Sequence, residues 1–291
     1  MINKLKKPGN RTVIAYMELL FASFGWAMST IIIKKYVGDI PPFHLLTGRF
    51  FVAALFLFLI RPKHYKKTDI STVKTGVLLG FFSFLAYALA MVGLVYTTAS
   101  KAGFFVAMAV MFVPTFECVL KRKRPSKWLL ISIFMALVGL YLVSGMNGLG
   151  INKGDLLSIG CALAYTIYIL FLDRMGDNKD SLILTEVQLV FVVLLGIISM
   201  ILFEGISIKY FLAAIGPVLV LGIIGTGLTT LLQARGQKYA SPESVGLIFL
   251  GEPLFTFAMA VVLLNEVVNL SGIIGAVLLL FAMIVTVLKK V

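Results

Sequence analysis

The sequence has few charged residues and few of the side chains that bind metals or act as nucleophiles. Only 13% of its 291 residues are charged, and it contains two histidines and two cysteines. Cys118 and Cys161 lie within apolar runs, which argues against a disulfide framework. His44 and His64 flank the second apolar run, so no histidine-containing metal site is evident. The phosphate-binding pattern G-x-x-x-x-G-K-[ST] is also missing. We therefore expect neither an enzyme nor an ATP motor, and no metal or cofactor.

Apolar residues dominate what is present. They make up 60% of the chain, and the mean hydropathy is +1.02. A water-soluble domain of this length could not bury so much apolar surface, so the sequence predicts an all-α integral membrane protein. Its apolar segments predict ten transmembrane helices in one compact bundle, over residues 13–33, 43–60, 76–96, 101–120, 128–145, 154–172, 184–203, 211–233, 242–264 and 270–288.

The basic residues predict how the chain is oriented. The net charge is +13, and twenty of the 26 lysines and arginines fall in the two termini and in the connections after spans 2, 4, 6 and 8, which would share one side of the membrane. Cytoplasmic loops are enriched in lysine and arginine, so we expect both termini in the cytoplasm and the protein in the cell membrane. The same loops could bind nucleic acid or anionic lipid, but topology already accounts for them. We expect the lipid bilayer and a small-molecule substrate as partners, and no nucleic acid.

The two halves of the chain resemble each other. A shift of 139 residues places Trp26 over Tyr165 and Arg49 over Gln188, and a shift of 142 places Tyr87 over Thr229. We expect one repeat over residues 1–148 and a second over 149–291, each with five helices. Because five is odd, the second repeat would be inverted relative to the first. Inverted repeats are typical of secondary transporters, whose sites lie between the repeats near the membrane centre.

Two carboxylates fall inside apolar segments. A charged side chain at the centre of a membrane helix costs about 2.5–3.5 kcal/mol, so Glu18 and Glu252 are expected to face the protein interior. Each is a candidate for substrate binding and for proton coupling. Glu18 could instead reach the membrane surface from its position near the end of the first segment. Pro253 lacks a backbone N–H, so we expect a bend there, beside Glu252.

Arg49 is the one basic residue expected deep within a span. It could bind a substrate carboxylate through two parallel hydrogen bonds. Alternatively, it could pair with Glu252 or cap a helix end. Its counterpart in the second half, Gln188, supplies a comparable polar group and is a further candidate for substrate binding.

Aromatic and amide side chains complete the predicted site. Trp26, Tyr87, Tyr165 and Tyr168 are candidates for aromatic walls that suit an amphipathic or cationic solute. Gln233 is a further candidate. The alternative for each is ordinary helix packing. The run G-I-I-G-T-G at 222–227 looks like a nucleotide-binding loop, but it lies within an apolar segment, where we expect its glycines to allow close helix approach.

Short motifs along nearly the whole chain resemble a known family. They are F-G-W-A at 24–27, Arg49, Y-T-T-A-S-K-A-G-F-F at 96–105, V-P at 113–114, G-D-L-L at 154–157, Q-K-Y-A-S-P at 237–242, E-P at 252–253 and Glu266. In order and spacing they resemble the ten-span EamA-type members of the drug/metabolite transporter superfamily. The resemblance implies a secondary carrier for small metabolites that works by alternating access. Tyr165 departs from the tryptophan common in the family, and Glu18 is not part of the general pattern.

The sequence and the resemblance together predict a secondary active or facilitative transporter. We expect it to export small metabolites such as amino acids or organic amines, and to act as a monomer. A carrier of phosphorylated or nucleotide-linked sugars is the alternative, but it would need two or more basic side chains in the membrane, and only Arg49 qualifies. A polytopic membrane enzyme or lipid-handling protein would need clustered catalytic side chains at one face, and none is evident.

Overall fold

A computed structural model describes residues 10–289 apart from 37, 61, 98, 145–150 and 265–269. Every regular element in these described ranges is a helix, so the expectation of an all-helical protein is confirmed. Eight segments are long and apolar enough to cross a membrane, and Leu270–Thr286 is a shorter apolar helix. The expected boundary between the repeats at 148–149, the two chain termini and Glu266 lie outside the described residues.

Fourteen α-helices occur in the described ranges. They are α1 (Asn10–Tyr36), α2 (Pro42–Ile60), α3 (Ile70–Tyr96), α4 (Ala99–Ala107), α5 (Ala109–Lys121), α6 (Lys127–Ser144), α7 (Lys153–Met175), α8 (Ser181–Phe203), α9 (Ile208–Ala213), α10 (Ile215–Gly222), α11 (Thr229–Gly236), α12 (Pro242–Ile248), α13 (Gly251–Leu264) and α14 (Leu270–Lys289). A short 3₁₀-helix covers Pro62–Lys67, and a π-helical segment, Ile223–Leu228, joins α10 to α11.

Three of the expected spans are interrupted. Met108 separates α4 from α5, the π-helical segment separates α10 from α11, and Phe249 and Leu250 separate α12 from α13. The prediction of a bend at Pro253 is therefore wrong by a few residues, because the helix breaks at Phe249 and Leu250. Pro253 is instead the third residue of α13, where the backbone N–H would have no acceptor within the helix, so proline is tolerated there.

The helices pack in pairs that join early and late parts of the chain. The main pairs are α6 with α14, α3 with α7 and α8, α2 with α8, α1 with α11 and α13, and α5 with α12. In the first pair, Gly139 and Gly275 meet directly. A Cβ atom added at Gly139 would lie 2.8 Å from the Gly275 carbonyl oxygen, and one added at Gly275 would lie 2.7 Å from the Gly139 oxygen. Glycine is required at both positions because the two backbones touch.

Hydrogen bonds and ion pairs assign the connections to two faces of the bundle. Lys179 lies in the loop between α7 and α8, where its ammonium is 3.7 Å from Asp69 and its carbonyl accepts from Lys238. The Thr72 hydroxyl donates to Asp69 and holds the pKa of that carboxyl below its usual value, so the carboxyl stays ionised. These contacts bring residues 62–69, 176–180 and 237–241 together; with residues 122–126 we call this end the basic face.

The opposite face has its own contacts. Glu204, just after α8, accepts hydrogen bonds from the backbone N–H groups of Phe43 and His44 at 2.8 and 3.1 Å. Its carboxylate also lies 2.8 Å from Nδ1 of His44. Glu204 therefore satisfies the orphan N–H groups at the start of α2, which would otherwise lack partners. Asp155, at the start of α7, accepts from Thr97 at the end of α3 and lies 3.7 Å from Lys101.

Candidate functional site

Five of the candidate residues, contributed by five different helices, come together inside the bundle. We call them the central cluster: Trp26 on α1, Arg49 on α2, Tyr87 on α3, Tyr165 on α7 and Glu252 on α13. The Trp26 and Tyr165 rings meet edge to face with centroids 6.0 Å apart. The Arg49 guanidinium lies 5.2 Å from the centre of the Tyr87 ring. Glu252 is close enough to Arg49 for their charges to interact.

Arg49 is held in place by groups that carry no charge. Its side chain is buried, with the residue only 2% exposed. Its Nε donates to the Thr226 hydroxyl at 2.8 Å, and its Nη2 donates to the Gly225 carbonyl at 3.1 Å. No carboxylate within the described ranges forms an ion pair with it. Burying a cation with no carboxylate in direct contact is costly, so the site favours a group with negative charge.

The π-helical segment explains why a backbone carbonyl is available to Arg49. In a π-helix the hydrogen bond spans one more residue than in an α-helix, which leaves local carbonyls for other donors. The Thr226 hydroxyl follows this wider spacing and donates to the Leu221 carbonyl, five residues earlier, at 2.8 Å. The residue that accepts from Arg49, Gly225, lies within the widened turn. The segment therefore forms a polar backbone patch inside an otherwise apolar helix.

Glycines in this region allow α1 to approach the π-helical segment closely. A Cβ atom added at Gly225 would lie 1.9 Å from the Ser29 hydroxyl oxygen, and one at Gly25 would lie 2.4 Å from a methyl group of Thr229. The interpretation of the 222–227 glycines as close-packing residues is confirmed. The same packing brings Trp26, next to Gly25, toward the centre of the bundle.

Glu252 is positioned by the helix break. It is the second residue of α13, so its carboxylate lies at a helix N-terminus, where free N–H groups and the helix dipole favour negative charge. The Thr30 hydroxyl of α1 lies near this carboxylate and donates to the Trp26 carbonyl at 3.1 Å. The break therefore brings a carboxylate to the middle of the bundle without leaving it unsupported.

Phe249 is a site residue that the sequence analysis missed. It occupies the break between α12 and α13, and its ring centroid lies 4.9 Å from that of Trp26 and 6.2 Å from that of Tyr165. Tyr165 in turn stacks on Tyr168 at 5.6 Å. The aromatic rings are thus in contact and close the cluster on one side. The signal that could have found Phe249 is its position just before the Gly-Glu-Pro run.

The sequence matches a known protein family along most of its length. A family model, the EamA-like transporter family, matches residues 13–145 and again 152–288. The chain belongs to the EamA-like transporter family. It is therefore a multi-pass membrane transporter of the drug/metabolite transporter superfamily, as the resemblance predicted. No residue of the site is assigned by this match.

Individual relatives agree with the family. The transporter is 27% identical over 281 residues to an uncharacterized transporter of Archaeoglobus fulgidus, covering 97% of this chain and 88% of the relative. It is 23% identical over 271 residues to the uncharacterized transporter YoaV of Bacillus subtilis (strain 168), covering 87% and 90%. A crystal structure with 19% sequence identity has the same fold, with a TM-score of 0.73 over 96% of each chain.

Three other candidate residues of the transporter lie beside the cluster. Gln188 accepts a hydrogen bond from the Tyr168 hydroxyl at 3.0 Å. Gln233 donates to Gln237 at 3.3 Å and faces the hydroxyl of Tyr165. The Gln188 amide nitrogen, the Trp26 indole nitrogen and the Tyr165 hydroxyl are buried without a hydrogen-bond partner in the described part of the chain. Three unsatisfied polar atoms around one cluster are what a site for a polar ligand presents.

Glu18 does not join the cluster. It lies eight residues before Trp26, about 12 Å away along α1. Its carboxylate pairs with Arg235 at the end of α11, at 3.0 Å. This ion pair lies at the basic face and links α1 to α11. Of the nine candidate site residues, Glu18 is the one that the structure places at the basic face of the bundle.

Proposed function

We propose that this transporter is a secondary active or facilitative carrier that exports small zwitterionic or cationic metabolites, such as amino acids or organic amines. The observation that carries the proposal is the buried Arg49, which donates only to neutral groups and lies in one cluster with Glu252 and three aromatic side chains. An amino acid has one negative and one positive group at a short fixed separation. Such a solute would pair with both charged side chains at once, its carboxylate with Arg49 and its ammonium group with Glu252.

The residues of the central cluster then have separate roles. The guanidinium of Arg49 binds the substrate carboxylate, and the Glu252 carboxylate binds the ammonium group. Trp26, Tyr87 and Tyr165 enclose the apolar part of the substrate, and their rings attract the cation. Glu252 is also the group best placed for proton coupling, because substrate amine and proton would compete for the same carboxylate.

We further propose that the chain contains ten spans arranged as two inverted repeats, 1–148 and 149–291. The family model matching twice supports this, as does the helix pairing. In inverted repeats, each packed pair of helices has a counterpart formed by the equivalent helices of the two repeats. The pair of α3 with α7 has such a counterpart in the pair of α11 with α1. Interrupted helices in corresponding positions support it too, because α4–α5 and α12–α13 occupy the fourth place in each repeat. One chain then supplies the whole interface, and a monomer suffices.

Contacts at the two faces serve as gates in this proposal. At the basic face, Glu18 pairs with Arg235, and Glu117 with Arg174 at 3.4 Å. At the opposite face, His44 contacts Glu204. Each contact joins one proposed repeat to the other, so opening the site to one side requires breaking the set on that side. We place the basic face in the cytoplasm of a cell membrane, following the bias in lysine and arginine.

Ligand-induced thermal stabilisation tests the proposed substrate class. The purified transporter is heated with a panel of amino acids, amines and sugar phosphates at pH 5.5 and pH 7.5. A ligand at a hundredfold excess over its dissociation constant stabilises the folded state by about 2.7 kcal/mol. We expect an amino acid or amine to stabilise the wild type and the control Glu243→Gln, but not Glu252→Gln. Stabilisation only by phosphorylated compounds, or equal stabilisation of Glu252→Gln, would contradict the proposal.

A further inference from the structure

A cavity lies away from the central cluster, between α5 and α6 at the basic face. Its volume is about 440 Å³, within the range of small-molecule sites. Its floor is apolar and includes Pro114, Leu129 and Ile133. The helices beside it expose Val119 and Leu130 on their outer surfaces. The cavity is therefore a groove that opens toward the hydrocarbon region of the bilayer; we call it the α5–α6 groove.

The edge of the groove at the basic face is formed by three consecutive cations. Arg122, Lys123 and Arg124 all line it and are all exposed. None of its lining residues is acidic. The nearby carboxylate of Glu117 is buried and pairs with Lys121 and Arg174, so it does not neutralise these cations. The groove thus combines an apolar floor with a positive edge.

Arg122, at this edge of the groove, has an unusual backbone conformation. Arg122 has φ 51° and ψ 39°, a left-handed conformation, directly after α5. Glycine or asparagine usually occupies this position after a helix, because a side chain is disfavoured there. Among the described residues other than glycine, Arg122 is the one with a positive φ. The backbone here accepts an unfavourable conformation with a charged side chain directed to the surface beside the groove.

We propose that the α5–α6 groove binds an anionic phospholipid, with its phosphate at Arg122, Lys123 and Arg124 and an acyl chain on the apolar floor. Positive pockets at the edge of membrane helices attract anionic headgroups. A lipid fits better than a free phosphate, because only a lipid would cover Pro114 and Ile133 as well as the cations. The site is independent of the substrate cluster and of the proposed function.

Tryptophan fluorescence offers a direct measurement of this site. The chain has two tryptophans. Trp128 begins α6 next to the groove residue Leu129 and is 36% exposed, whereas Trp26 is 8% exposed within the bundle. The full chain is reconstituted in phosphatidylcholine vesicles that contain increasing fractions of phosphatidylglycerol with brominated acyl chains. Quenching of Trp128 then reports lipid in the groove, and the buried Trp26 supplies a constant background.

A pair of double variants separates the groove from general surface charge. Lys123→Gln/Arg124→Gln removes two charges from the groove edge. Lys63→Gln/Lys66→Gln removes two charges from the same face but outside the groove. Each basic residue near an anionic surface contributes about a fivefold preference. We expect brominated phosphatidylglycerol to quench the wild type and the Lys63/Lys66 variant at several-fold lower mole fraction than brominated phosphatidylcholine, and the Lys123/Arg124 variant to lose that preference.

Thr115→Phe provides a test that leaves every charge in place. Thr115 lines the groove and is exposed, so a larger side chain would fill the groove without disturbing the interior. We expect it also to abolish the preference for phosphatidylglycerol. An equal preference for both lipids in the wild type, or an equal loss in both double variants, would overturn the proposal. The proposal would also be overturned if inorganic phosphate reduced the quenching of Trp128 equally in the wild type and in Thr115→Phe, because the site would then bind free phosphate.

Discussion

At the scale of single residues, the protein depends on a buried arginine without an ionic partner. Arg49 donates to a hydroxyl and to a backbone carbonyl, and it lies over the Tyr87 ring. These neutral groups orient the guanidinium but leave its charge available. A permanent carboxylate partner would stabilise the empty protein and weaken its affinity for an anionic group. The arrangement therefore favours ligand binding over stability.

Replacement of Arg49 by lysine tests how the guanidinium is held. Lysine keeps the charge but cannot donate to Thr226 and Gly225 in the same fixed geometry. Hydrogen bonds from charged groups contribute about 1.5–3 kcal/mol, so Arg49→Lys should lower the thermal midpoint by about 2–6 °C. The measurement is thermal unfolding in detergent, with Arg11→Lys on the exposed start of α1 as the control. A midpoint equal to that of the wild type would show that these bonds contribute little.

At the scale of elements, the chain combines long uninterrupted helices with helices that break near the middle. The uninterrupted α6 and α14 pack through Gly139 and Gly275, whose backbones touch. Two of the interrupted spans supply backbone groups to the central cluster, namely the Gly225 carbonyl of the π-helical segment and the N-terminus of α13 at Glu252. Rigid packing at the periphery and breaks at the centre suit a protein whose site must rearrange while its outer helices stay together.

Alanine at Gly139 tests the contact between α6 and α14. The added methyl would lie 2.8 Å from a backbone oxygen, so the two helices must separate. Overpacking of this kind costs about 1–3 kcal/mol. The control is Gly216→Ala in α10, where no atom lies within 4 Å of the added methyl. We expect a lower midpoint of thermal unfolding for Gly139→Ala and an unchanged or higher one for Gly216→Ala; a similar result for both would contradict the close contact.

The sequence predicted the helices better than their interruptions. Apolar runs reveal spans because each must satisfy its backbone internally and present apolar side chains to lipid. The break at Phe249 and the π-helical turn at Gly225 depend on packing against other helices, which no local pattern encodes. For the same reason the role of Arg49 stayed open, since its acceptor is a backbone carbonyl more than 170 residues away. The pairing of Glu18 with Arg235 could not be predicted either, because the two residues are distant in sequence.

At the scale of the whole molecule, contacts between the proposed repeats occur at both faces and surround a closed central cluster. The Glu18–Arg235 pair at the basic face is partly exposed to water, with the Arg235 side chain 56% exposed, and it contributes about 1 kcal/mol or less. A pair of this strength can help to hold a face closed and still open within the transport cycle. The structure with the contacts at both faces formed corresponds to a closed conformation in our proposal.

Weakening the contacts at the basic face should open the cluster to that side. Cys161 lies close to Glu252 and is buried, and with Cys118→Ser it is the one remaining thiol. We expect Glu18→Gln with Glu117→Gln to increase the rate at which a membrane-impermeant maleimide modifies Cys161 in inverted vesicles several-fold. Asp155→Asn, at the opposite face, should not increase it. An unchanged rate in the first variant would argue against these ion pairs as a gate.

Counterflow in proteoliposomes tests the central claim most directly, namely that Arg49 and Glu252 bind the transported solute. Vesicles preloaded with the stabilising amino acid or amine take up the labelled compound from outside. We expect Glu243→Gln to exchange at the wild-type rate, and Glu252→Gln and Arg49→Lys to exchange at least about tenfold more slowly, because each loses roughly the energy of one charged hydrogen bond to the substrate. Exchange at the wild-type rate in folded Glu252→Gln would show that the transported solute binds elsewhere.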